Sequence, residues 1–89
     1  MEPQEGWLKC QVSEGMFPEE YAVQCNSENG DIFSFFAPSE YIDIEKNLVK
    51  INIMQSKNNV CLIYVPFVPL EGGVSRTVKV PLRNVISQR

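Results

Sequence analysis

The chain has no histidine. Imidazole is the commonest general base and a leading metal ligand, so Ser–His and Cys–His nucleophilic pairs are excluded. Cysteine is scarce: Cys10, Cys25 and Cys61 form no C-x-x-C clip from which a four-ligand zinc site starts. Neither of the glycine-rich phosphate cradles, G-x-x-x-x-G-K-[ST] or G-x-G-x-x-G, is present. No apolar run reaches the ~18 residues of a membrane span. Met1 is followed by Glu2-Pro3-Gln4-Glu5, where a secretory leader would place basic residues and an apolar core. The expectation is a cytoplasmic protein with no membrane partner, no cofactor and no metal.

The odd number of cysteines agrees with a reducing compartment. All three lie in apolar or alternating segments and read as reduced, buried, small hydrophobes. A Cys10–Cys25 or Cys10–Cys61 bridge is open to the chain, but nothing in the sequence asks for one.

What is present is 89 residues, enough for one domain spanning 1–89, with residues 1–6 expected as a flexible N-terminal tail. A chain of that length buries roughly 60% of the surface its unfolded form exposes, which supports one modest core. The hydrophobic fraction of 44% is ordinary for a globular protein.

The net charge of −3 conceals an asymmetry: residues 1–45 carry ten acids against Lys9, and residues 46–89 carry seven bases against Glu71. Such a division points to an electrostatic partner. It is equally the pattern of strands that interleave and neutralise one another, at roughly 0.2–1 kcal/mol per cross-strand pair.

The dominant period is two. Trp7–Val12 alternates, with Leu8, Cys10 and Val12 on one face. Tyr21–Cys25 is a second strand, and Asn29-Gly30 is a hairpin signal because both residues tolerate positive φ. Asp31–Ala37 is apolar on both faces and is expected to be a central, covered strand. Leu48–Gln55 places Val49, Ile51 and Ile53 inward, Ser56–Asn59 turns, and Val60–Val65 returns. Ser75–Val80 alternates again. Pro38 ends one strand and Ser39 is a candidate cap for a single helical turn. Pro81 is placed to open a closing turn. The segments 36–42 and 79–85 both read strand, Pro, short turn, apolar, a weak internal echo.

Six strand candidates and no amphipathic helix longer than a turn make the chain all-β. Closure removes exposed edges, so the expected architecture is a small SH3-like barrel of five or six strands with one or two short helical turns. An OB-type barrel comes second and a small sandwich third.

No constellation supports an enzyme. Glu19-Glu20 and Asp43/Glu45 are carboxylate pairs in principle, but they read as solvated acidic loops, and 40–45 lacks calcium-loop spacing. Two loops carry apolar residues that a solvent-facing loop does not need: Met16-Phe17-Pro18, and the stretch 66–70 with Phe67 and Leu70. Exposed, they form a patch rimmed by Glu14, Glu19, Glu20 and Glu71, and patches of that kind mark interaction sites. Turned inward, they plug the ends of the barrel.

The favoured expectation is a non-enzymatic adaptor that contacts a protein partner through Met16, Phe17, Phe67, Leu70, Glu19 and Glu20, with a homodimer as one form of that contact. The alternative is a single-stranded nucleic-acid binder in which Arg76, Lys79 and Arg83 meet phosphates. The pI near 4.8 weighs against it.

Overall fold

Alternating side chains become strands along most of the chain. The computed structural model describes residues 4–65 and 77–87, which hold nine strands and two single-turn 3₁₀ helices. The strands are β1 (Gln4–Lys9), β2 (Gln11–Glu14), β3 (Glu20–Asn26), β4 (Ile32–Pro38), β5 (Ile42–Asp43), β6 (Leu48–Lys57), β7 (Val60–Tyr64), β8 (Thr77–Pro81) and β9 (Val85–Ile86). The 3₁₀ turns are Ser39–Tyr41 and Leu82–Asn84. Every strand pairing is antiparallel. One sheet runs β8-β7-β6-β1-β9, with β5 also on β6, and the other runs β2-β3-β4.

The fold is all-β, and among the described residues its ladders form two sheets and no single closed circuit. The expected strand over 7–12 is two strands, because the chain leaves one sheet and enters the other at Cys10. There the Cys10 N–H donates to the Asn47 carbonyl at 3.0 Å and stands outside both ladders. Gln4, Glu5 and Gly6, expected in a tail, extend β1 along β6.

Local turn chemistry is in part as the sequence suggests: a turn forms at Asn29-Gly30, but Asn29 does not take a positive φ. Gly30 takes φ +86° in the β3–β4 turn, and Asn58 and Asn59 take φ 55° and 65° in a two-residue turn between β6 and β7, the left-handed pair that matches strand twist. Pro38 and Pro81 end β4 and β8 in extended conformation and precede the two 3₁₀ turns. Ser39 makes no side-chain cap and is instead the first residue of its turn, since Pro38 occupies the cap position.

The faint sequence echo is an architectural one. Trp7, Leu8 and Lys9 pair with Lys50, Val49 and Leu48, so exchanging 7–9 with 48–50 reproduces the same rungs. The exchange also carries β9 on Trp7-Leu8 into β5 on Leu48-Val49. It carries the Ser39 N–H bond to the Glu19 carbonyl (2.7 Å) into the Leu82 N–H bond to the Asn59 carbonyl (2.9 Å). Glu19 and Asn59 both have φ 65°. The two halves are related by a pseudo-twofold axis between Leu8 and Val49, and each half lends its last short strand to the first strand of the other.

The core lies between the two sheets. Leu8, Val49, Ile51, Ile63 and Val80 from the larger sheet meet Val23, Phe35 and Ala37 from the smaller one. Burying each large side chain contributes about 1.5–3 kcal/mol before chain entropy is counted. Phe33 and Phe35 stack with ring centroids 6.3 Å apart. Among the described residues β4 is an edge strand of its sheet, not a central one, and its Ile32 is 62% exposed; the apolar residues on its second face are explained by packing only as far as Phe36, which is half-buried. None of the described helices is long and apolar enough to cross a membrane.

Candidate functional site

The β2–β3 connection, residues 15–19, combines apolar side chains with an ordered backbone. The Gly15 N–H donates to the Glu20 carbonyl at 3.0 Å, and the Glu20 N–H donates to the Phe17 carbonyl at 3.2 Å. The Ser39 N–H then ties the Glu19 carbonyl to the first 3₁₀ turn at 2.7 Å. These bonds clamp the loop at both ends and along its second half. A side chain on Gly15 would place its Cβ 2.6 Å from the Glu20 carbonyl oxygen, so the approach of the two strand ends depends on glycine there.

On this frame Met16 is 77% exposed and Phe17 66% exposed. The loop therefore presents its apolar side chains to solvent and does not plug the core. Glu14 and Glu19 are exposed and Glu20 is half-buried at the base of the loop. Glu40, exposed on the 3₁₀ turn, follows Ser39 directly and adds a further carboxylate beside the clamp. The arrangement is an apolar tip on a rigid stem with an acidic surround. Phe67, Leu70 and Glu71 lie outside the described residues.

The basic candidates are spread more widely. Lys79 is exposed on β8 and Arg83 is exposed on the second 3₁₀ turn. Arg76 lies outside the described residues. Acidic Glu28 joins Lys79 through its N–H, which donates to the Lys79 carbonyl at 2.7 Å. Glu28, Lys57 and Lys79 border one shallow open pocket of about 440 Å³. The two oppositely charged halves also meet directly, where Lys50 Nζ lies 2.8 Å from Glu5 Oε2 across β1 and β6. That carboxylate pushes the Lys50 ammonium up from its ordinary value.

A second open pocket, about 290 Å³, was not foreseen as a unit. Lys9, Cys10, Cys25, Asn26, Ile32 and Asn84 are among the residues that line it. Of its two cysteines, Cys25 lies on β3 and Cys10 at the break between β1 and β2. A hydrogen bond to Cys10, burial and the charge of Cys10 all push the Cys25 thiol up, so Cys25 stays protonated. The Cys10 thiol donates to the Asn47 carbonyl at 3.5 Å. Alternation alone places each cysteine on an inward face; only the β2–β3 register brings the two together. Among the described residues, no three cysteine, aspartate or glutamate side chains gather as they would around a metal ion. Compared with known protein families, with curated proteins and with solved structures, the chain matches none.

Proposed function

We propose that this chain is a non-enzymatic binding module that engages a protein partner through the β2–β3 loop. The observation that carries this reading is the pairing of a clamped backbone with a solvent-facing Met16-Phe17 tip. A large apolar side chain held outward by three backbone hydrogen bonds loses little further conformational freedom on binding, which favours its use as an anchor. The surrounding Glu14, Glu19, Glu20 and Glu40 suit a partner with an apolar pocket and a basic rim. Phe67 and Leu70 are proposed to extend the same surface.

The scaffold that accompanies this reading is a partly open, SH3-like barrel. Support comes from the passage of one strand between the two sheets at Cys10 and from the slip of register between Ile53 and Gln55 on β6. Strands bent in this way turn the corners of small barrels.

The test is a paired capture experiment from nuclease-treated and untreated lysate of the source cells, using the wild-type chain and Met16→Ser with Phe17→Ser as baits. A protein retained by the wild type and lost with the double variant, at unchanged melting temperature, supports the reading. Equal recovery on both baits overturns it. Self-association lost in the double variant identifies the partner as a second copy. Ligands that vanish with nuclease redirect attention to Arg76, Lys79 and Arg83.

A further inference from the structure

The β2–β3 ladder pairs Val12 with Val23 and Gln11 with Gln24. Cys10 and Cys25 are the residues that follow the last rung of this ladder on each side, and both line the 290 Å³ pocket. The type of rung matters. Gly15 donates to Glu20 across the far end of the hairpin, and hydrogen-bonded rungs alternate with non-bonded ones along an antiparallel ladder. Continued past Gln11 and Gln24, the register would bring Cys10 and Cys25 to a non-bonded position, an odd number of rungs away. The Cys10 N–H agrees, because it turns away from β3 to the Asn47 carbonyl. On such rungs the side chains come closest and the Cα atoms stand about 4.5 Å apart. That spacing lies at the short end of the range disulfides accept, roughly 4.4–6.8 Å.

Access differs between the two sulfurs. Cys10 is half-buried at the wall of the open 290 Å³ pocket. Cys25 is 2% exposed and lies behind it. Cys61 is fully buried elsewhere in the core, on β7.

We infer that Cys10 and Cys25 form an oxidisable dithiol, a modification site that a low-molecular-weight disulfide converts to an intramolecular bridge. The Cys10 thiolate attacks one sulfur of the reagent, forming a mixed disulfide and releasing one thiolate. The mixed disulfide removes the Cys10 thiol whose hydrogen bond and charge hold the Cys25 proton; Cys25 then gives up that proton, its thiolate attacks the Cys10 sulfur, and the proton leaves with the second reagent thiol. One protein disulfide forms, and the reagent is reduced by two electrons to two thiols. The bridge closes the hairpin segment 10–25 at its base. This inference rests on the register and the pocket and stands apart from the proposed binding role.

The experiment incubates the native chain with oxidised glutathione, quenches by acid and maps cysteine-containing peptides by mass spectrometry. The expected product lacks two hydrogens, links Cys10 to Cys25 and leaves Cys61 free. In urea the same reagent should scramble the pairing among all three cysteines. Cys25→Ser should stop at a glutathione adduct on Cys10, and Cys10→Ser should give no adduct on the native chain. The oxidised protein should melt at least about 10 °C higher than the reduced one, because the closed segment limits the unfolded chain. Three free thiols in the native chain at an oxidised-glutathione level that bridges the urea-unfolded chain would overturn the inference. So would a native wild-type product that stops at the Cys10 adduct or that includes Cys61.

Discussion

Leu8 and Val49 face each other on the β1–β6 ladder, and each is also paired with the closing strand of the opposite half, Leu8 with Val85 and Val49 with Ile42. Both side chains are buried. The two residues therefore join four strands at the point where the halves of the chain cross.

Truncation at this point should be costly. Leu8→Ala removes a fully buried side chain and leaves a cavity, an expected loss of about 2–5 kcal/mol. A chain of this length is stable by roughly 4–13 kcal/mol in total, so the loss is a large share of the whole. Urea denaturation measures the loss. Combining it with Val49→Ala should give a coupling of about 0.5–3 kcal/mol, as expected for residues in one packed cluster. Strict additivity would mean that the two halves are not joined here.

Gly15 and Gly30 should respond in opposite ways to asparagine. Gly30 has φ +86° and open space around it, and asparagine adopts that conformation readily. Gly30→Asn should change stability by less than about 1 kcal/mol. At Gly15 the obstacle is the Glu20 backbone, which cannot swing aside like a side-chain tip. Gly15→Asn should cost about 1–3 kcal/mol and should disturb the Met16-Phe17 tip as well. Chemical denaturation of both variants, with capture of the partner by Gly15→Asn, checks the pair of expectations.

The difference between these two glycines shows where the sequence is legible. Asn29-Gly30 and Asn58-Asn59 are turns because of their own backbone preferences, and Pro38 and Pro81 end strands because they lack an N–H. Those features are local and were readable. The alternation of Leu48–Ile53 was readable for the same reason. The role of Gly15 depends on Glu20 meeting it, the edge position of β4 depends on which strands fail to cover it, and the break at Cys10 depends on Asn47. Each of those is a long-range pairing that period and propensity do not encode. The apolar character of Met16-Phe17 was plain from the sequence, but its outward direction came only with the clamp from Ser39.

Ser27 offers a test of an interior polar group. Its hydroxyl oxygen is buried and has no hydrogen-bond partner among the described residues. A buried hydroxyl without a partner costs about 1–3 kcal/mol relative to its hydrated state. The Ser27 N–H bond to the Asp31 carbonyl, 2.8 Å, is a backbone interaction that alanine keeps. Ser27→Ala should therefore raise the denaturation midpoint. A lower midpoint would show that the hydroxyl is engaged.

Stability should fall in alkali for a reason located in the core. The Cys25 thiol is pushed up by its hydrogen bond to Cys10 and by burial, and the Cys61 thiol is pushed up by burial, each from an ordinary value of 9.0. In the unfolded chain both ionise near that ordinary value, while the native chain releases their protons only at higher pH. Above it the native state binds more protons than the unfolded state, so stability decreases as pH rises. Below it their contribution is fully present. The limiting slope is about 1.4 kcal/mol per pH unit for each thiol. Lys50, raised by Glu5, acts with the same sign, but only near and above 10.5. Urea midpoints measured from neutral pH to about pH 10 in reducing buffer should fall along this slope. Cys61→Ala should be less stable at neutral pH and should lose part of the pH dependence, the remainder belonging to Cys25. A variant that keeps the full slope would place the alkaline loss elsewhere in the chain.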